Sequence, residues 1–267
     1  MKRSALIAIL GLIVIASSAQ DSSQSKKSKK EDRREAKRQR VNSLIKQEEE
    51  GVLVYRKQSI FGVELRTNGY GVFYELGKMK SPRFSNIYKL EFTEIKHPKE
   101  EKLPNGTFAF GNPYIYGKVN NFYQVKLGLG QQVILGQKGN KNGVAITGIY
   151  DGGLSLGFLR PYYIEVQDST GRGRQIKYED DTSLFVGGPI IGGAGFGKGW
   201  KEIKMKPGAY LHTALRFDFG RYNEMVQGLE VGLTVEAYAS KIQIMLFNKE
   251  KQIFFQGYIA LVFGRRR

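Results

Sequence analysis

The stretch Leu211-His212-Thr213-Ala214-Leu215-Arg216-Phe217-Asp218-Phe219 alternates between two kinds of side chain. Successive side chains of a β-strand point to opposite faces, so every second residue shares a face. One face is mostly apolar and holds Leu211, Thr213, Leu215, Phe217 and Phe219. The other face holds His212, Ala214, Arg216 and Asp218. A strand of a membrane-spanning barrel has this pattern, because its apolar side contacts lipid and its polar side faces the lumen.

The same alternation recurs in eight segments of the chain. They cover about residues 59–66, 70–79, 86–96, 122–135, 144–158, 211–219, 228–238 and 253–263. Their lengths mostly match the roughly nine to eleven residues that a tilted strand needs to cross a bilayer. Asn68-Gly69 indicates a tight hairpin, and Asp151-Gly152-Gly153 predicts a bulge or kink. We therefore predict an all-β fold, an eight-stranded antiparallel up-and-down transmembrane β-barrel.

The N-terminal residues have a different composition. Residues 1–19 predict a signal peptide, since Lys2 and Arg3 precede an apolar stretch too short to span a bilayer. Residues 20–50 predict a charged periplasmic arm, partly helical or disordered, because they hold too little apolar surface to fold alone. The barrel domain then covers residues 51–267. The basic residues of the arm are Lys26, Lys27, Lys29, Lys30, Arg33, Arg34, Lys37, Arg38 and Arg40.

The charge balance of the 267 residues indicates an anionic neighbour. The formal net charge is +17, and cysteine is absent, which excludes disulfides and thiolate chemistry. The arm is either a flexible soluble segment or a segment that binds an envelope protein or an anionic polymer. Nucleic acid is excluded as a partner, because the predicted signal peptide directs the chain out of the cytoplasm.

The closing segment from Phe255 to Phe263, together with the signal and the alternation, resembles the small eight-stranded outer-membrane barrels of the OmpA/OmpX type. The resemblance implies a Gram-negative outer-membrane location, both termini in the periplasm, and contact with outer-membrane lipid and the barrel-insertion machinery. It also implies an insertion signal at Tyr258, Ile259, Leu261 and Phe263. In that family the chain usually ends on an aromatic residue, whereas here residues 264–267 follow. The resemblance implies an architecture and a location but no activity.

The predicted inward faces carry charges of both signs. They are Glu64, Arg66, Glu75, Lys89, Glu91, Lys126, His212, Arg216, Asp218, Glu230 and Glu236. Side chains fill the interior of an eight-stranded barrel, and buried charges are costly unless they are paired. We therefore predict a network of lumen ion pairs that closes the barrel. A narrow polar conduit is the alternative.

No catalytic residue, cofactor site or metal site is predicted. The lipid A deacylases among these barrels have a serine two residues after the histidine, and Ala214 stands there after His212. His97 lacks a second histidine at metal-binding spacing. The glycine-rich run 187–199 nearly matches a phosphate-binding loop, but Gly199 replaces the required Ser or Thr. We interpret this run as a mobile outer loop or one that folds into the barrel mouth.

These observations favour a non-enzymatic outer-membrane β-barrel with a structural, envelope-assembly or partner-binding role. Two alternatives stay open. One is a lipid-modifying barrel enzyme that hydrolyses acyl chains of lipid A or phospholipid. The other is a soluble periplasmic β-barrel that binds an apolar ligand.

Overall fold

The computed structural model describes residues 34–39, 42, 55–103, 112–139, 143–168, 170–221 and 224–267. The chain divides into two units, Met1–Gly51 and Val52–Arg267. In the first unit residues 34–39 are helical and exposed, whereas the predicted signal peptide lies outside the described residues. Within the described part, no helix is both long enough and apolar enough to span a membrane.

The second unit is built almost entirely of strands. They are β1 (Lys57–Arg66), β2 (Gly69–Met79), β3 (Phe84–Ile95), β4 (Lys102–Leu103), β5 (Tyr114–Ile115), β6 (Asn120–Gly136), β7 (Ala145–Pro161), β8 (Tyr163–Gln167), β9 (Gly173–Lys177), β10 (Ile190–Gly193), β11 (Lys204–Asp218), β12 (Met225–Ile242) and β13 (Lys251–Arg266). A short helix spans Thr182–Gly187, and a 3₁₀ turn spans Trp200–Glu202.

Eight of these strands close an antiparallel barrel. Its order is β1-β2-β3-β6-β7-β11-β12-β13, and β13 pairs back with β1. Each barrel strand therefore pairs with the barrel strands that precede and follow it in the chain. This confirms the predicted eight-stranded up-and-down barrel.

The two ends of the barrel differ. At the terminal end, where Lys57 and Arg266 lie, the strands are joined by short connections over residues 80–83, 137–144 and 219–224. At the loop end, the connections cover residues 96–119, 162–203 and 243–250 and the tight hairpin at Thr67-Asn68. The two longest connections thus lie at the loop end, although the shortest link, Thr67-Asn68, lies there too.

The strands on one side of the barrel are longer than the alternation predicted. The sequence predicts a connection over residues 159–207 between β7 and β11. In the structure β7 continues to Pro161 and β11 begins at Lys204, so the connection covers only residues 162–203. These two strands have 17 and 15 residues. Backbone pairing between them continues beyond the segment where apolar and polar residues alternate, because hydrogen bonds between strands do not need an apolar face.

The predicted bulge at Asp151-Gly152-Gly153 is wrong. β7 pairs through these residues in unbroken register with both β6 and β11. The glycines instead permit close approach, since a Cβ on Gly153 would meet the backbone of Leu127. The register between β6 and β7 shifts elsewhere, between Ile134 and Gly136.

Apolar side chains occupy the outer face of every barrel strand. Exposed examples are Phe61, Tyr74, Leu90, Leu129, Leu154, Leu215, Leu233 and Ile259, one from each strand. A soluble barrel would bury such residues, whereas a transmembrane barrel exposes them to lipid. The fold is therefore that of a transmembrane β-barrel, and the soluble alternative is wrong.

A second small sheet lies in the longest connection. Its order is β10-β8-β9, and the helix Thr182–Gly187 packs beside it. Ile164, Val166, Ile176 and Phe185 form a separate buried cluster here. We call residues 163–193 the loop-end body. Part of the glycine-rich run is therefore strand β10 rather than a mobile loop.

Candidate functional site

The barrel interior brings the eleven predicted inward residues together. All eleven residues are buried, with at most 7% of their surface exposed. They are Glu64, Arg66, Glu75, Lys89, Glu91, Lys126, His212, Arg216, Asp218, Glu230 and Glu236. The alternation places them inside, and the pairing of the strands decides which of them meet.

Arg216 is the centre of the first group. Its Nη1 and Nη2 donate to the two carboxylate oxygens of Glu75 at 3.0 and 2.7 Å. Its Nε donates to Glu230 Oε2 at 2.7 Å. Glu75 on β2 and Glu230 on β12 are thereby joined across the lumen through one guanidinium. Such forked contacts are the strongest that Arg makes with carboxylates.

His212 forms the second group with residues that the alternation alone did not single out. Its Nδ1 contacts Asp151 Oδ2, and its Nε2 lies 2.6 Å from the hydroxyl of Tyr258. Tyr210 donates to the other oxygen of Asp151 at 2.9 Å. Asp151 lies directly across from His212 in the pairing of β7 with β11. The hydroxyl of Tyr258 in turn donates to Glu230, which links this group to the first.

Among the described residues, neither ring nitrogen of His212 contacts a serine. A deacylase would need a nucleophilic hydroxyl activated by the histidine near the membrane edge. In the described part of the chain, the hydroxyl beside His212 is that of Tyr258, and it is buried between two partners. Nor do the described residues include three or more His, Asp or Glu side chains grouped so as to hold a metal ion.

Arg66 and Lys126 organise the third group, nearer the loop end. Arg66 contacts Glu91 at 3.1 Å and Glu236 at 2.7 Å. Lys126 contacts the same two carboxylates at 2.7 and 2.5 Å. Two cations therefore share the same two anions, and each of the four residues comes from a different strand. At the margin of this group, Arg66 is also 3.6 Å from Glu64.

Lys89 lies between the second and third groups. Its Nζ is 3.3 Å from Glu91 Oε2 and 4.3 Å from the centre of the Phe73 ring. Both contacts stabilise a buried ammonium.

Asp218 completes the network at the terminal end. Arg266 Nη2 is 2.7 Å from Asp218 Oδ2, and the backbone N–H of Gly220 donates to Oδ1 at 2.9 Å. Arg266 belongs to the basic segment that follows the last predicted strand. The sequence prediction missed this arginine because it ended β13 at Phe263, three residues before the strand ends.

An apolar layer crosses the interior at the loop end. Phe122 packs edge to face against Tyr238 at 5.3 Å and tilted against Phe254 at 5.8 Å. Ile242 and Met245 belong to the same buried cluster. Buried ion pairs and packed rings therefore fill the described interior from one end to the other.

The residues predicted as an insertion signal divide between the two faces of β13. Ile259, Leu261 and Phe263 are 55, 53 and 51% exposed on the lipid side. Tyr258 points inward and is 5% exposed. Recognition of this strand by an insertion machinery stays a prediction.

The predicted basic arm is described only in part. Arg34, Lys37 and Arg38 lie in the helical segment 34–39, with exposed side chains. The remaining members lie outside the described residues, and they are Lys26, Lys27, Lys29, Lys30, Arg33 and Arg40.

A cleft of about 540 Å³ opens at the loop end. Residues from barrel strands and from several connections line it, among them Arg160 on β7 and Lys118 and Phe196 on connections. Burial lowers the pKa of Lys118, although Glu100 opposes this shift through an ion pair at 2.7 Å. Burial and the nearby Lys251 lower the pKa of His97 below its ordinary value. The sequence prediction missed this cleft, because its residues are far apart in the chain.

No protein-family profile matches the chain, and no curated protein matches its sequence. Among solved structures it is similar to Ail, the attachment invasion locus protein of Yersinia pestis, in complex with the heparin analogue sucrose octasulfate. The identity is 10%, the match covers 80% of this chain and 100% of Ail, and the TM-score is 0.35. It is also similar to neisserial surface protein A, with 9% identity over 79% of this chain and 96% of that protein and a TM-score of 0.36. For the N-terminal β-barrel domain of Pseudomonas aeruginosa OprF, the identity is 10%, the match covers 79% of this chain and 98% of that domain, and the TM-score is 0.35.

The arrangement of charges and apolar residues defines the class of protein. Ionic side chains face one another inside the closed barrel, and apolar side chains cover its outside. The chain has the fold of an eight-stranded transmembrane β-barrel.

Proposed function

We propose that this chain is a closed, non-enzymatic outer-membrane anchor with a structural or envelope-assembly role. The observation that carries the proposal is the filled interior. Four cations, Arg66, Lys89, Lys126 and Arg216, are each within 3.3 Å of a carboxylate inside the barrel. A conduit would instead need a continuous row of hydrated polar groups. The interior therefore supports a rigid seal rather than transport.

The partner-binding surfaces lie outside the membrane belt in this proposal. The loop-end body has its own buried cluster around Phe185, so it can present a fixed surface. The basic arm would lie in the periplasm with both termini and bind an envelope protein or an anionic polymer. The net charge of +17 supports an acidic partner. Outer-membrane lipid and the barrel-insertion machinery are the further expected contacts.

Planar-bilayer recording of the purified barrel tests the seal. We expect no steady conductance at neutral pH. Steady single-channel conductance would contradict the proposal and favour the polar conduit.

Affinity purification in mild detergent tests the envelope role. The intact chain is compared with a deletion of residues 20–40. A second variant keeps the length but replaces Lys26, Lys27, Lys29 and Lys30 with Gln. We expect both variants to lose the same co-purifying envelope component. An unchanged set of partners would remove the arm from the proposal.

Hydrolysis assays address the enzyme alternative. Purified protein is incubated with lipid A and with phospholipid, and released fatty acid is measured. We expect no release above that of a barrel carrying His212→Gln. Release that depends on His212 would contradict the non-enzymatic proposal.

A further inference from the structure

The loop-end cleft has the size and lining of a ligand site. Its volume of about 540 Å³ is within the range of small-molecule pockets. Backbone from β6, β7 and the connections around them brings Asn121, Arg160 and Tyr162 to one wall. Cations, carboxylates, amides and aromatic rings converge there, unlike on the apolar outer face of the barrel.

Two hydrogen-bond donors in this wall lack acceptors among the residues that the structure describes. Asn121 Nδ2 and Arg160 Nε are buried, and neither has a partner in the described part of the chain. The two residues are only 7 and 5% exposed. Arg160 is oriented by its Nη1, which donates to the carbonyl oxygen of Phe196 at 2.8 Å. Buried donors without acceptors are costly, so both favour an acceptor that enters the cleft.

Aromatic side chains add apolar faces beside these donors. Phe196 is 68% exposed and Tyr70 is 47% exposed. The Arg160 guanidinium lies 4.6 Å from the Phe196 ring centre and 4.7 Å from that of Trp200. The C–H face of a sugar ring can therefore pack against an aromatic ring while the acid group of the sugar reaches the arginine.

The charges in the cleft limit the ligand to few negative groups. Two carboxylates, Glu94 and Glu100, line it together with the cations Lys96, Lys102, Lys118 and Arg160. Lys118 is already paired with Glu100 at 2.7 Å, and Glu94 accepts a hydrogen bond from the Tyr70 hydroxyl. The two carboxylates would repel a polyanion but can accept hydrogen bonds from hydroxyl groups.

We infer that the loop-end cleft binds a singly acidic sugar, either carboxylated or phosphorylated. Its acid group accepts hydrogen bonds from Asn121 and Arg160, its ring packs against Phe196, and its hydroxyls donate to Glu94 or Glu100. This inference does not depend on the sealed interior or on the arm, because the cleft lies at the loop end and belongs to neither.

Fluorescence titration of the full chain in detergent tests the ligand class. Trp200 is the only tryptophan, and it lies against Arg160, so its emission reports binding. We expect saturable changes with glucuronate and glucose 1-phosphate. Glucose and inorganic phosphate should each bind at least about tenfold more weakly, because each lacks half of the contacts. Equal binding of inorganic phosphate, or tighter binding of sucrose octasulfate, would overturn the sugar-acid assignment.

Calorimetry of three variants tests the residues. We expect Arg160→Gln and Asn121→Leu to weaken glucuronate binding at least about tenfold. Arg174→Gln is the matched control, since it removes the same charge from an exposed position on β9 outside the cleft. Equal losses in Arg160→Gln and Arg174→Gln would indicate diffuse attraction and contradict the proposed site, as would unchanged binding in Asn121→Leu. Unheated gel migration checks that each variant still forms the barrel.

Two sources share this chemistry, a free sugar acid and an acidic sugar of lipopolysaccharide. A parallel calorimetric titration with lipopolysaccharide micelles separates them. If the micelles compete with glucuronate and Arg160→Gln abolishes this competition, the ligand is the acidic sugar of lipopolysaccharide. Binding of glucuronate alone would assign the free source, and binding of neither would overturn the inference.

Discussion

Removing the charge of Arg216 should damage the barrel more than any surface substitution. Arg216 is 1% exposed and contacts both Glu75 and Glu230. Arg216→Met keeps much of the side-chain volume but leaves two carboxylates buried without this counter-charge. Breaking a buried pair in this way costs about 3–5 kcal/mol. We therefore expect the free energy of unfolding to fall by about that amount.

Urea titration of the refolded barrel in lipid vesicles measures this loss, with folded and unfolded forms separated on unheated gels. Lys204→Met is the matched control on the same strand, because its pair with Glu179 is exposed and worth at most about 1 kcal/mol. Arg216→Met combined with Glu75→Gln and Glu230→Gln should recover most of the loss, since the unpaired charges are gone. A loss for Arg216→Met no larger than that for the control would refute the role of the buried network.

Gly128→Ala should destabilise the barrel by about 1–3 kcal/mol, because the added Cβ would meet the hydroxyl of Tyr210. Urea titration measures this loss, with Gly139→Ala as the control, since a Cβ added there meets nothing. Equal stabilities of the two variants would contradict the prediction. Asp181 caps the helix Thr182–Gly187 by accepting from the backbone N–H of Leu184 at 3.0 Å, and this bond lowers its pKa below the ordinary value of 3.8. The ionised carboxylate therefore stabilises the helix when the pH is above the ordinary pKa of Asp. This contribution disappears as the pH falls through the lowered pKa of the folded state. The protection factor of the helix amides against hydrogen exchange, which corrects for the pH dependence of the intrinsic exchange rate, should therefore fall below about pH 4 in the native chain but change less with pH in Asp181→Ala, and identical profiles would disprove the cap.

The alternation predicted the fold because it is a local signal. Each residue of a strand faces inward or outward according to its position, so Glu230 and Leu233 on β12 could be placed without knowledge of their neighbours. The strand ends were predicted less well. β7 and β11 extend past the alternating segments, where pairing continues without an apolar face to mark it.

The contacts inside the barrel needed the register between strands. The two glycines after Asp151 predict a bulge, yet Asp151 pairs directly across from His212. That pairing joins residues 61 positions apart, and local alternation does not encode it. The cleft was missed for the same reason, since Asn121 and Arg160 meet only through the pairing of β6 with β7.

Fluorescence quenching by lipids brominated on their acyl chains tests most directly whether the apolar faces contact the membrane. Trp200→Phe provides a background without tryptophan, and Leu215→Trp or Leu233→Trp then places one probe on the outer face of β11 or β12. Gln175→Trp, on an exposed position of the loop-end body, is the control. We expect the bromines to quench both barrel probes strongly and the control weakly, with aqueous iodide giving the reverse order. Barrel probes that iodide quenches and the bromines do not would contradict the membrane-facing assignment.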